Sequence, residues 1–178
     1  MKEESQPQER TEMSGEQKIG VLGVGNLLLS DEGFGIHLLR YLEEQYEVPE
    51  RVTLLDGGTA GIYMAPFLEE CERVVVLDVT AKQLAPGTFH CFTLDEVKSA
   101  NQGLRLSPHQ FGLLEVLELC QFRGTAPREV YFITVAPASL ETGLELTPHL
   151  AASLPEAARL LIECLASWGC PLRKTAHA

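Results

Sequence analysis

The segment Lys18–Gly35, KIGVLGVGNLLLSDEGFG, decides how the chain is read. Lys18–Val24 is a short apolar run ending among glycines, the pattern of a buried strand. Phe34–Tyr46 follows, with Phe34, Ile36, Leu38, Leu39, Tyr41 and Leu42 spaced compatibly with a helix. The alternation then recurs. Val52–Leu55 predicts a second strand, Ile62–Leu68 a short helix, and Arg73–Leu77 a third strand, the richest in β-forming residues. Thr88–Phe92 predicts a fourth strand, led in by the turn Pro86-Gly87. Ser107, Pro108 and Gln110 supply a cap, a first-turn proline and a capping box for a helix to about Cys120. Glu129–Val135 predicts a fifth strand, and Ser153-Leu154-Pro155-Glu156 opens a last helix to about Trp168.

This order predicts an α/β fold: a twisted, mostly parallel sheet of about five strands with helices on both faces. Crossovers should be right-handed, and ligands should bind outside the carboxyl ends of the strands. Residues 18–170 read as one domain. Residues 1–17 are Glu-, Gln- and Ser-rich and read as a disordered polar tail with no secretory character. Residues 171–178 read as a flexible C-terminus.

Composition narrows the function. The chain has 178 residues, 45% hydrophobic, with a formal net charge of −11. That charge repels phosphate backbones and anionic lipids, so nucleic-acid and membrane roles are disfavoured, while cations and basic polypeptide segments remain suitable partners. Acidity that serves solubility alone explains the charge equally well. Cys71, Cys91, Cys120, Cys164 and Cys170 include no CxxC pair; an odd number without an export signal suggests a reducing, cytoplasmic setting.

Polar residues gather where strands end. The first strand runs into Asn26 and Ser30-Asp31-Glu32-Gly33, the second into Asp56-Gly57-Gly58-Thr59, and the third into Asp78. In a parallel sheet Glu32, Asp56 and Asp78 share one edge, and a cation, a proton or a basic ligand would relieve their repulsion. Plainer readings stand beside this one. Asp31 and Glu32 suit the first turn of any helix, and Asp56 suits any turn before Gly-Gly. Asp78 follows four apolar residues, where a carboxylate usually has a partner. Among the histidines, His109 stands at a helix start, where free amides favour the neutral ring that binds metals; a structural role is the alternative. His37 and His149 read as packing and helix-start residues, and His177 as terminal. Two carboxylates and an imidazole would suit a divalent transition metal. Gly23-Val24-Gly25 with Asp56 imitates a dinucleotide fingerprint, but Leu28 stands where the third glycine belongs, which weakens that alternative.

Taken together, Gly23-Val24-Gly25-Asn26, Ser30-Asp31-Glu32-Gly33-Phe34-Gly35, Asp56-Gly57-Gly58-Thr59, Leu77-Asp78 and Ser107-Pro108-His109-Gln110-Phe111-Gly112 resemble the hydrogenase maturation endopeptidase family. The likeness runs from about Lys18 to Ala166. It implies a peptidase that clips a C-terminal extension from the large-subunit precursor of a nickel–iron hydrogenase after nickel is loaded. It implies Glu32, Asp78 and His109 as the metal-contacting residues, with Asp56 and Asp78 in cleavage or recognition. The nickel would arrive with the precursor, no organic cofactor is implied, and a monomer is the simplest expectation. A nickel carrier or chaperone that leaves its client uncut is the alternative, although the chain lacks His-rich or Cys-rich tracts.

Overall fold

The computed structural model describes residues 18–59, 61–99 and 108–176. The N-terminal tail and the Ser107 cap lie outside the described residues. The elements are β1 (Ile19–Val24), α1 (Phe34–Gln45), β2 (Tyr46–Glu47), β3 (Val52–Gly58), α2 (Ala65–Glu70), β4 (Arg73–Val79), β5 (Phe89–Thr93), α3 (Leu94–Ser99), α4 (Pro108–Arg123), β6 (Glu129–Val135), α5 (Pro148–Ala151), α6 (Leu154–Ser167) and β7 (Arg173–Lys174). Two 3₁₀ turns, Ser30–Gly33 and Gly61–Met64, precede α1 and α2.

The main sheet has the order β3-β1-β4-β6-β5. Its first four strands are parallel, and β5 closes the edge antiparallel to β6. All six residues of β1 are buried, as expected of a parallel strand covered on both faces. Alternation along the strands divides the core in two. On one face Val21, Val75, Leu77 and Ile133 meet Phe34 and Leu38 of α1 and Leu161 of α6. On the other, Leu22, Val76 and Phe132 meet Leu68 of α2 and Leu113 and Leu117 of α4. Each of these large side chains contributes about 1.5–3 kcal/mol by leaving water. Helix α1 lies very close to the sheet, because a Cβ on Gly35 would sit 2.3 Å from the carbonyl oxygen of Leu77. The sheet of about five strands, mostly parallel with helices on both faces, is what the sequence predicts.

Several details differ from the expectation. Strands β3 and β4 run past Leu55 and Leu77, so Asp56 and Asp78 lie inside strands rather than after them. The cause is partner supply: Asp56 pairs in register with Gly23, and Asp78 with Thr134. Beyond Cys170, where a flexible end is expected, Leu172 is buried and Arg173–Lys174 pair antiparallel with Tyr46–Glu47.

Candidate functional site

The carboxyl ends of β1, β3, β4 and β6 face one way, and the motif residues of the first strand loop are built there. Gly25 adopts φ 137°, and a Cβ at this position would lie 1.9 Å from the Glu32 carbonyl oxygen. No other residue permits the turn Asn26–Ser30 to fold back so tightly. Asn26 Oδ1 accepts from the Leu28 amide at 3.0 Å, and the Glu32 amide donates to the Leu29 carbonyl at 3.0 Å. Glu32 is thereby fixed at the top of β1, just ahead of α1.

Asp31 holds this loop from the other side. It is fully buried, and its carboxylate accepts four hydrogen bonds: Ala138 N and Ser139 N at 2.9 Å, Thr147 N at 2.7 Å, and Thr147 Oγ1 at 3.1 Å. The Ser30 amide donates to the Gly143 carbonyl at 2.8 Å, and the Gly143 amide to the Leu28 carbonyl at 3.0 Å. The loop after β6 is thus stapled onto the loop after β1. In sequence Asp31 reads only as a first-turn acid, because its partners lie more than 100 residues away.

His109 enters from the first turn of α4. Its Nε2 lies 3.5 Å from Glu32 Oε1, and both side chains are only 15% exposed. At that separation the contact is not a hydrogen bond, and among the described residues His109 Nε2 is buried with no hydrogen-bond partner. A buried ring nitrogen 3.5 Å from a carboxylate oxygen is a pair of donor types suited to a divalent metal.

Asp78 is completely buried, and its Oδ1 accepts from the Val79 amide at 2.8 Å. Its side chain leaves the sheet on the same side as Val76, toward α2 and α4, the side from which His109 comes. Among the described residues, however, no group of three or more His, Cys, Asp or Glu side chains is gathered closely enough to hold a metal ion. The structure therefore brings Glu32 and His109 together and does not close a three-member shell with Asp78.

Asp56 stands apart. It alternates with Leu55, which packs on the α2/α4 side, so it leaves the sheet on the α1 side, opposite to Asp78. Across β3, β1 and β4 the two aspartates are separated by two strand spacings, about 10 Å. Asp56 is exposed, and its Oδ1 accepts from the Gly58 amide at 3.0 Å, the local turn bond of the plainer reading.

Two further histidines lie in helices. His149 lies in α5, and its Nε2 is 2.9 Å from the Pro86 carbonyl. His37 lies within α1, and its Nε2 is buried with no hydrogen-bond partner among the described residues. A third, His90, received no role from the sequence. In register it follows Asp78 and Thr134 across the sheet, on the α2/α4 face. Its Nε2 sits 2.9 Å from Lys82 Nζ, and burial first, then Lys82, pushes the ring below the ordinary imidazole range.

The profile of the family described as hydrogenase maturation protease matches residues 36–164. The hydrogenase expression/formation protein HoxM of Azotobacter vinelandii is 41% identical over 150 residues, 84% of this chain and 72% of that protein. The hydrogenase 2 maturation protease of Escherichia coli is 36% identical over 153 residues, 85% of this chain and 93% of its own length. The solved structure of the hydrogenase maturating endopeptidase HybD from E. coli superposes with a TM-score of 0.83 at 34% identity, covering 91% of this chain and all of that one. The family match spans most of the chain, from within α1 to within α6, and the chain belongs to the hydrogenase maturation protease family.

Proposed function

We propose that this peptidase removes a C-terminal extension from a nickel–iron hydrogenase large-subunit precursor and recognises the nickel already seated there. The observation that supports this reading is the Glu32–His109 pair, with a buried imidazole nitrogen that has no hydrogen-bond partner among the described residues. A pair of ligands is an incomplete shell. It would suit a metal whose remaining positions are filled by the precursor, because the ion is then gripped without being extracted. Asp78, at the same strand ends and on the His109 side of the sheet, is the third residue of the grip in this proposal.

Docking through the ion would fix the scissile bond relative to the protein. Positioning of this kind can remove several kcal/mol from a barrier. Asp56 has one oxygen held by the Gly58 amide and an exposed position. In our reading it takes the proton of the attacking water, or orients the peptide that water attacks.

The test is intact-mass measurement of a large-subunit precursor incubated with the protein, with and without nickel loaded. Loss of a C-terminal segment from the nickel-loaded form alone is expected. Equal cleavage of the nickel-free form would remove nickel recognition from the reading, and an unchanged mass in both would remove the precursor. Glu32→Gln, Asp78→Asn and His109→Ala should each abolish cleavage while circular dichroism stays native. Asp56→Asn should lower kcat by about 100-fold or more, the scale of general acid–base catalysis, with KM little changed.

A further inference from the structure

Among the described residues seven large hydrophobic side chains are exposed: Leu28, Ile62, Tyr63, Leu84, Leu140, Leu144 and Phe122. Scattered exposed apolar residues need no explanation, but a concentration of them marks a binding surface. All but Phe122 lie in segments that follow the carboxyl ends of the four parallel strands. They share the edge that carries Glu32 and Asp78.

Five of the six, all but Leu84, form two banks. Leu28, Leu140 and Leu144 belong to the stapled pair of loops: Leu28 and Leu144 flank one backbone bridge, because the Gly143 amide donates to the Leu28 carbonyl. The buried Asp31 carboxylate rigidifies this bank. A fully buried carboxylate with four donors is a costly device, and here it holds leucines in water. Ile62 and Tyr63 form the second bank, on the 3₁₀ turn that leads from β3 into α2. That turn packs on α4, and the far ends of α2 and α4 are joined by Arg123 and Glu69 at 3.1 Å, so the turn lies toward the His109 end of α4. One bank caps the α1/α6 face and the other the α2/α4 face, with the sheet edge running between them.

Charge specifies the occupant further. The segments of the two banks, residues 25–33, 59–64 and 137–147, contain Asp31, Glu32, Glu141 and Glu145 and no lysine or arginine; Lys82, in the segment after β4, lies 2.9 Å from His90 Nε2. Glu141 and Glu145 are exposed immediately beside Leu140 and Leu144. We infer that the two banks seat apolar side chains of the precursor segment spanning the cleaved bond, with a basic residue of that segment meeting Glu141 and Glu145. The inference rests on the proposed precursor-processing role. The loop after β6 thereby becomes a specificity element of the protease, tied through Asp31 to the loop that presents Glu32.

The experiment uses the full chain, a nickel-loaded large-subunit precursor and initial cleavage rates at varied precursor concentration. Leu140→Asn/Leu144→Asn and Tyr63→Ala should each raise KM roughly tenfold or more with kcat within about twofold, since each removes one apolar anchor. Glu145→Lys should also raise KM. Phe122→Ser, at the opposite end of α4, should leave KM unchanged. Thermal melts should stay near wild type, because the altered side chains are exposed. If wild-type protein cleaves while the two bank variants keep their KM, or Phe122→Ser raises KM equally, the docking surface is refuted. Sedimentation that shifts from dimer to monomer in the leucine variants, with KM unmoved, would assign the bank to a second copy of this chain and overturn the inference. Failure of the wild type to cleave would instead remove the processing role.

Discussion

Replacing Asp31 with asparagine should loosen the whole carboxyl edge. The carboxylate takes one bond at Oδ1, from Thr147 N, and three at Oδ2, from Ala138 N, Ser139 N and Thr147 Oγ1. An amide has only one accepting oxygen. The less costly rotamer keeps that oxygen on the three-donor side and turns NH₂ toward the Thr147 amide, two donors face to face. One charge-assisted bond is lost, a buried N–H is left unsatisfied, and three bonds fall from charged to neutral strength. Together these amount to about 3–5 kcal/mol. In a chain of this length that lowers Tm by roughly 10 °C. Differential scanning calorimetry reads the shift, and limited proteolysis with mass spectrometry reads the loop itself, which should become cleavable between Ala136 and Thr147. A melt within about 2 °C of wild type, with that loop still protected, would show that the staple carries no such weight.

Gly25→Ala places a methyl group 1.9 Å from the Glu32 carbonyl at a backbone conformation alanine resists, so stability should fall by more than ~2 kcal/mol in urea unfolding and precursor cleavage should be lost; native stability with full cleavage would contradict the tight turn. Burial, reinforced by Glu70, pushes the Cys71 thiol up to about 11, and burial with Glu129 pushes Cys164 up to about 12. Because folding favours the protonated thiol, this contribution to stability is complete below the ordinary thiol value near 9 and is lost as pH climbs toward 11–12. The urea midpoint should therefore hold from pH 7 to about 8.5 and decline above pH 9, and iodoacetamide at pH 8 should label both cysteines far more slowly in the folded chain than in urea; equal labelling rates would dispose of the burial argument.

The strands that bury both faces were legible in the sequence because Val74–Leu77 and Ile19–Val24 admit few other readings. The position of β5 was not, since a five-residue strand carries no mark of its direction, and β2 and β7 are too short to leave any periodicity. Glu32 and His109 were legible through their motifs, and they do approach one another. Asp56 and Asp78 were read as neighbours because both follow apolar runs; their separation to opposite faces follows from strand parity, which becomes readable only once register is known. Asp31 was hidden for a different reason. A carboxylate before a helix looks the same whether it faces water or, as here, three backbone amides and a hydroxyl from beyond β6. The exposed leucines of the loop 137–147 carry no periodicity or motif in the sequence, and only the fold sets them on the same edge as Leu28.

The staple also has a temporal consequence. The residues that define the family motif emerge early in synthesis, yet the groups that lock them arrive only with Ala138, Ser139 and Thr147. A nascent chain that stops short of Thr147 has the motif and its local turn bonds but lacks the staple that locks the loop from the other side. The protein should therefore pass from inert to competent in one late step, and fragments left by interrupted translation should be unable to cut anything prematurely.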